Sequence, residues 1–499
     1  MLSASITVFP REPLGEISPF LHGQFLEHTG ECASPGVWVG QESEIPHQNG
    51  VRLGVLQALK QLEPPVIRWP GGCFADAYNW RDGIGPNRPT RVSSRWGGDE
   101  IETNGFGTHE FLELCRDVNA HPWIGGNVGS GTPRELAQWA EYCNFQSGTS
   151  LSDERIQNGS EKPFDVKFWG IGNESWDCGG KFTPETYAAQ YRQFESIFPK
   201  FHGQNPFLIA VGPDGNKAQE SAAWTRQLLQ NLEKWRTPRL HGFDAHFYTW
   251  NSQNQFGTAT QFSLDEYYGI LSESLKIGAL IDEQREILDA STIGREAKLI
   301  LGEWGIWHAS GQGEHERDFW QPNTLRDAIC AAMTLDLLHH KSDKVWMANL
   351  AQGVNVLQAL LHTFGDVTVK TPTFHVFDLY KRHRGGQLLH ADFESGEAGG
   401  LPRLSGSASL QGNIVTLSVV NSGAKSPVEA TISLPGQNIQ IVAAKELSGE
   451  SLAAQNGLES PDLVAPREIN PTFDAVTDKS SFAHAFAPAS VTVFLIQLG

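Results

Sequence analysis

No stretch of this chain approaches the roughly 20 consecutive apolar residues that a membrane-crossing helix needs. Its opening, MLSASITVFPREPLG, has no basic segment followed by a long apolar run, so it does not read as a secretory leader. Cysteine is sparse. Cys32, Cys73, Cys115, Cys143, Cys178 and Cys330 are scattered, without a Cys-x-x-Cys pair or metal-ligand spacing, and the last third of the chain has none. The expectation is six reduced thiols in a cytoplasmic protein, with no metal and no cofactor. Positive charge is the scarcer sign. There are 38 Lys and Arg against 57 Asp and Glu, a net charge of −19, which argues against a nucleic-acid partner or an anionic membrane surface. A neutral substrate fits that balance.

Aromatic residues are abundant: 15 Trp, 27 Phe and 8 Tyr. Most belong in a core, but an aromatic face also stacks on the C–H bonds of a sugar. At 499 residues the chain exceeds the size at which single cores stop growing, so two domains, or one large barrel with an appendage, are expected.

Eight short apolar runs, at 23–27, 66–69, 123–127, 166–172, 208–212, 243–248, 299–304 and 345–351, each end in a polar or Gly-rich segment. Helical patterns lie between them, such as Val55, Leu56, Leu59 and Leu62, or Phe111, Leu114, Cys115 and Val118. Helix starts are well marked. Thr132-Pro133-Arg134-Glu135 combines an N-cap, a Pro at the first helical position and a capping-box Glu. Thr183-Pro184, Ser263 to Glu266 and Thr324 to Asp327 are similar starts. Strand then helix, eight times, is the pattern of a (β/α)8 TIM barrel, expected over 18–384. The runs are apolar throughout rather than alternating, as parallel strands buried on both faces should be. From residue 385 helical periodicity disappears. Short β-rich runs at 414–420, 430–434, 439–443 and 491–498 predict an antiparallel β-sandwich over 385–499, which the N-terminal strand within 1–17 joins.

Chemistry in such barrels sits where the strands end. The ends carry Glu27-His28, Arg68-Trp69 followed by Pro-Gly-Gly-Cys73, Asn127, Asn173-Glu174, His246 with Tyr248, Glu303-Trp304 with Trp307, and Asn349 with Gln352. Carboxylates on the fourth and seventh strands face each other across the mouth. A pair about 5–5.5 Å apart supports double displacement, one ionised to attack the anomeric carbon and one protonated to release the leaving oxygen. Asn173 can donate to a sugar 2-hydroxyl. Tyr248 or His246 can orient Glu303, with Tyr248 the preferred choice. Arg68 either supports Glu303 or pairs with Glu27. Taken singly, each of these residues is as readily structural, and the aromatic residues Trp96, Trp176, Trp307 and Trp320 as readily core.

The motif VKFWGIGNE at 166–174 resembles the acid/base motif of glycoside hydrolase family 51, and LILGEWGIW at 299–307 resembles its nucleophile strand. There the residue before the Glu is often Asp; here it is Gly302. FLHGQFLEHTGECASPGVWVG, VIRWPGGCFADAYNWRDGIGP, ETNGFGTHEFLELC, NVGSGTPRELAQWAEYCN and MANLAQGVNVLQAL follow the family's order and spacing. The resemblance implies a retaining, exo-acting α-L-arabinofuranosidase, with Glu174 as acid/base and Glu303 as nucleophile. It implies Glu27, Arg68, Asn173, His246, Tyr248 and Gln352 as furanose ligands, and Trp96 and Trp307 as pocket walls. Cys73 stands at a sugar-facing position where the family pattern admits Asn. The implied substrates are arabinofuranosyl oligosaccharides, and the implied assembly is a homo-oligomer, commonly a hexamer. The same machinery acting as a β-xylosidase, galactofuranosidase or endoglucanase is the alternative. More distant are a metal-dependent sugar isomerase using His28, Glu174, His246 and Glu303, and a non-enzymatic sugar-binding protein.

Overall fold

The computed structural model describes residues 2–93, 100–201, 203, 205–251, 257–309, 319–471 and 479–499. Eight parallel strands close into a barrel: β1 (Phe20–Phe25), β2 (Val66–Trp69), β3 (His121–Gly126), β4 (Phe168–Ile171), β5 (Phe207–Asp214), β6 (Gly242–Thr249), β7 (Lys298–Ile306) and β8 (Val345–Ala351). Each pairs with its neighbours in chain order, and β8 returns to β1. The sequence runs locate all eight, with edges displaced by a few residues. Helices between them start where their side chains satisfy free backbone N–H groups. Thr132 accepts from Glu135, Ser263 from Glu266 and Thr183 from Thr186.

The lower part of the barrel interior is an apolar plug. Val66, Trp123, Phe168, Ile209, Ile300 and Met347 form one buried cluster. The guanidinium of Arg68 lies on this plug, 5.1 Å from the Trp123 ring and 4.6 Å from that of Phe25. This plug closes the barrel below Arg68.

A nine-stranded, mostly antiparallel sheet follows the barrel. It includes the N-terminal strand Leu2–Glu16, which runs antiparallel to Gln387–Glu394 and parallel to Val428–Ser433. Ile6, Val8, Leu389, Leu417, Ile432, Phe482 and Phe494 share one cluster, so the sheet folds over to enclose a core of its own. Gln387–Glu394, Arg467–Glu468, Leu404–Gln411 and Ser481–Phe486 belong to it though unforeseen in the sequence, the last two rich in Ser, Gly and Ala. Their Ser, Gly and Ala residues carry little strand preference, and neighbouring strands supply the pairing. Helix Leu325–His340 is buried almost all round because the barrel and the sheet pack on it from two sides. Among the described residues, no helix is long and apolar enough to cross a membrane.

Candidate active site

Glu303 reaches the mouth from β7. Registers there run Ala245 opposite Leu301, then His246 opposite Glu303, so Gly302 is an unpaired bulge that brings Glu303 level with His246. The Gly302 N–H donates to Asp244 Oδ1 at 2.6 Å, and a Cβ at 302 would collide with that carboxylate. Glu303 is then held on both oxygens. Arg68 Nη1 donates to Oε1 at 2.7 Å, and the Tyr248 hydroxyl donates to Oε2 at 2.6 Å. A Cβ on Gly72 would lie 2.7 Å from Oε1, which accounts for glycine in the Trp-Pro-Gly-Gly turn.

Glu174 follows β4 in a left-handed conformation, with φ of 36°, a strained position held by its surroundings. Asn173 beside it anchors the turn. Its N–H donates to Asp76 Oδ2 at 3.0 Å, and its Oδ1 accepts from Arg68 Nη2 at 2.5 Å. His246 joins the two acids. Its Nδ1 lies 2.9 Å from Glu174 Oε1 and 3.5 Å from Glu303 Oε1, while Nε2 faces Asp244 at 3.2 Å. One oxygen of each glutamate and a ring nitrogen of His246 all lie within 4.8 Å of one another.

The surroundings separate the two acids. Burial, reinforced by the nearby Glu303 charge, raises the Glu174 carboxyl above its ordinary range despite the His246 hydrogen bond. Burial also opposes ionisation of Glu303, but the His246 and Arg68 cations with the Tyr248 hydrogen bond outweigh it and hold that carboxyl low. His246 itself is pushed up to about 10: burial alone would lower it, and Glu303 and Asp244 more than compensate. Glu27, under the same mouth, is raised to about 7 by burial and by Glu303, against N–H donation from Phe74 and an amide hydrogen bond from Gln352. The surroundings thus favour the proton on Glu174 and the charge on Glu303, with His246 between them.

These groups line a cavity of about 240 Å³ together with Cys73, Trp176, Asp214, Trp250, Trp307, Phe319 and Gln352. Gln352 Nε2 donates to Glu27 Oε2 at 2.9 Å, and Trp307 meets the Tyr248 ring edge-on at 5.2 Å. Arg68 and Asn173 are buried behind the lining, hydrogen-bonded to each other and, through Arg68, to Glu303. Trp96 lies outside the described residues. Other strand-end residues point elsewhere. His28 pairs with Glu102 at 2.7 Å and accepts from Trp69, so the ligand set of a sugar isomerase does not assemble. Asn127 holds its own turn through Ser130, and Asn349 packs against Gly23 inside the barrel. The facing atoms of Glu174, His246 and Glu303 are close enough to hold a cation as well as to exchange a proton.

One expectation is overturned. Cys73 and Cys178 are not reduced thiols but a disulfide with Cα atoms 5.5 Å apart, while Cys32, Cys115, Cys143 and Cys330 are free and buried. The loops after β2 and β4 bring together two cysteines separated by 105 residues, a pairing that spacing does not reveal. Two supporting acids were also missed. Asp76 accepts from Val128 and Gly129 N–H, both at 2.8 Å, besides Asn173, and so ties the turns after β2, β3 and β4. Asp244 precedes His246 by two residues on the same strand face, a signal the sequence did carry.

The chain is similar to known arabinofuranosidases. Residues 58–267 match the family model described as the alpha-L-arabinofuranosidase 1 domain, and residues 302–490 match the alpha-L-arabinofuranosidase C-terminal domain. The chain is 38% identical over 475 residues to an intracellular exo-alpha-L-arabinofuranosidase of Bacteroides ovatus, covering 93% of this chain and 90% of that one. The crystal structure of a family GH51 arabinofuranosidase from Xanthomonas axonopodis pv. citri superposes with a TM-score of 0.92 at 34% identity, over 100% of both chains. An arabinose complex of the alpha-L-arabinofuranosidase from Thermotoga maritima gives 0.86 at 30% identity, again over 100% of each.

Proposed function

This chain belongs to glycoside hydrolase family 51, and from that premise we propose that it removes terminal α-L-arabinofuranosyl groups with retention, by double displacement. Glu303 attacks the anomeric carbon while Glu174 gives its proton to the departing oxygen. A covalent glycosyl-enzyme forms, and Glu174, now ionised, takes a proton from the water that breaks it. The observation that carries this reading is the pair of acids within 4.8 Å whose surroundings drive their proton affinities apart. An inverting pair would stand about 6.5–9.5 Å apart to admit a water.

The closed floor and a volume of about 240 Å³ suit one small ring entering end-on, hence release of side groups rather than chain cutting. Glu27, Asn173 and Gln352 offer hydrogen-bonding groups for sugar hydroxyls, and Trp307 an apolar wall. Residues 18–384 act as the catalytic unit, with 385–499 and the strand within 1–17 covering it. An intracellular site of action is supported by the name of the Bacteroides relative. Self-association is part of the same reading, and light scattering reporting the 54.9 kDa monomer mass would remove it.

The test is the anomeric configuration of the first-formed product from an α-L-arabinofuranoside, followed by NMR. Retention yields the α anomer, and a β anomer overturns the mechanism. A panel of nitrophenyl furanosides and pyranosides tests the sugar. Faster turnover of a β-xylopyranoside or galactofuranoside would transfer the same machinery to another substrate.

A further inference from the structure

The disulfide sits against the proposed acid/base. Cys178 Sγ lies 3.4 Å, and Cys73 Sγ 3.8 Å, from Glu174 Oε2, while the other oxygen of that carboxyl accepts from His246. A disulfide sulfur has no hydrogen to give, so these approaches are contacts rather than hydrogen bonds. Cys73 lines the cavity and Cys178 is half-buried, so the bond can be reached through the mouth.

We propose that the Cys73–Cys178 pair positions the proton on Glu174: as a disulfide it leaves Oε2 facing sulfur without a donor, and as a dithiol it donates to that oxygen and stabilises the carboxylate. Opening the bond with a dithiol adds two electrons and two protons, and the reductant leaves as its own cyclic disulfide. Either thiol then replaces a donor-free surface with a weak S–H donor directed at the oxygen that must stay protonated. The other charged and titratable groups around Glu174 are untouched by this change. They are Glu27 after β1, Arg68 from β2, Asp76 beyond it, Asp177 on the Glu174 loop, Asp214 from β5, His246, Asp244 and Tyr248 from β6, and Glu303 from β7. The proposed effect acts through Oε2, the carboxyl oxygen that both sulfurs face. A sulfur pair is suited to such control because disulfides in reducing compartments are more often redox-responsive than structural.

This inference rests on Glu174 being the acid/base, and the experiment keeps the two claims apart. The four other cysteines are buried and their thiols are pushed up by burial, so they do not react while the protein is folded. Thiol titration of the folded enzyme should count none before dithiol treatment and two after it. The pH profile of kcat/KM is then measured in both states with a poor leaving group, which needs the proton, and with an activated aryl group, which does not. Reduction should move the alkaline limb down by about half a unit to one unit on the poor leaving group, about a three- to tenfold loss at a fixed pH beyond the limb, and leave the aryl profile in place. A merely structural bond would affect both substrates alike. Superimposable profiles with two titrated thiols overturn the proposal, as do two free thiols that persist after treatment with an oxidised dithiol. If the folded enzyme resists reduction, the double variant Cys73→Ser/Cys178→Ser supplies hydroxyl donors in the same places. An alkaline limb unchanged from wild type is again fatal. Azide rescue of Glu174→Ala reports on the underlying assignment: rescue with no redox effect discards the disulfide's role alone, whereas absent rescue discards the acid/base role.

Discussion

At the barrel mouth, buried acids sit beside buried cations. At the seam where helix Leu325–His340 meets the sheet, buried acids and bases sit beside hydroxyl groups. The mouth holds Glu27, Glu174, Asp244 and Glu303 around Arg68 and His246, with the Arg68 to Glu303 contact at 2.7 Å. The seam holds His22, His339, His383 and Asp336. His22 and His339 meet through ring nitrogens at 2.9 Å, His339 and His383 contact Ser407 and Ser409, and Asp336 accepts from Ser407, Ser418 and Tyr380. Burial works on both sets and its consequence differs. Ionisation survives in the mouth because opposite charges sit within reach. In the seam burial lowers all three histidines and raises Asp336, so each group becomes neutral by gaining or losing a proton. Burial of titratable groups therefore does not mark a catalytic site. Charge retained under burial, next to an open cavity, does.

The largest expected effect breaks the mouth at its proposed nucleophile. Glu303→Ala should lower kcat by about 10⁵-fold or more on every leaving group, since it removes the carboxylate proposed to form the covalent intermediate. Asp336→Asn, in the seam, should leave kcat within about twofold. Comparable losses from both would abolish the distinction. Next comes Glu174→Ala, with a loss of about 10²–10⁴-fold on poor leaving groups, little on activated aryl ones, and recovery of rate on adding azide. A uniform loss on both substrates would mean that Glu174 is not the proton donor.

Arg68→Met asks how much of the contrast rests on one cation. It removes the partner of Glu303 while keeping an apolar stem over Trp123 and Phe25. Glu303 keeps Tyr248 and His246, so the loss of stability should stay below the roughly 3–5 kcal/mol of a fully unpaired buried carboxylate. Loss of the cation raises the carboxyl that Arg68 helps to hold low, and catalysis needs it ionised, so the acid limb of kcat/KM should move to higher pH. An unmoved acid limb would assign the depression of Glu303 to His246 and Tyr248.

The mouth was the more legible of the two regions. Strand ends are announced by apolar runs that stop at a polar residue, and the barrel topology converts eight such ends into one ring. Glu27, Glu174, His246, Tyr248, Glu303, Trp307 and Gln352 could therefore be gathered from positions spread over the whole barrel. What stayed hidden depends on register and lateral packing. The bulge at Gly302 has no sequence signature beyond a glycine. Where the family motif often has Asp, the acid instead comes from the neighbouring strand as Asp244, whose carboxylate fills the space a side chain at 302 would need. The cysteine pairing required knowing that two loops meet. The seam was almost illegible, because its histidines lie on a strand, a helix and the turn beyond it, and become neighbours only when the sheet closes over the barrel.

The smallest effect on activity, and the sharpest statement about the seam, concerns pH and stability. Asp336 is raised by burial from 3.8 to about 7, against hydrogen bonds from Ser407, Ser418 and Tyr380. Its folded-state proton affinity exceeds that of the unfolded chain. The stability it contributes is therefore fully present below about pH 4 and is lost as pH rises towards 7. A displacement of that size corresponds to roughly 4 kcal/mol across the interval. Asn cannot titrate, so Asp336→Asn should be as stable as wild type or more so at pH 8, with the difference shrinking as pH falls to 5. Glu27 adds a slope of the same sign, but it does so in both proteins and cancels in their difference. Thermal midpoints of the two proteins at pH 5 and pH 8 give the answer. Parallel behaviour would mean that Asp336 is ionised in the folded state, held so by its three hydroxyl donors, and that the seam tolerates a bare charge much as the mouth does.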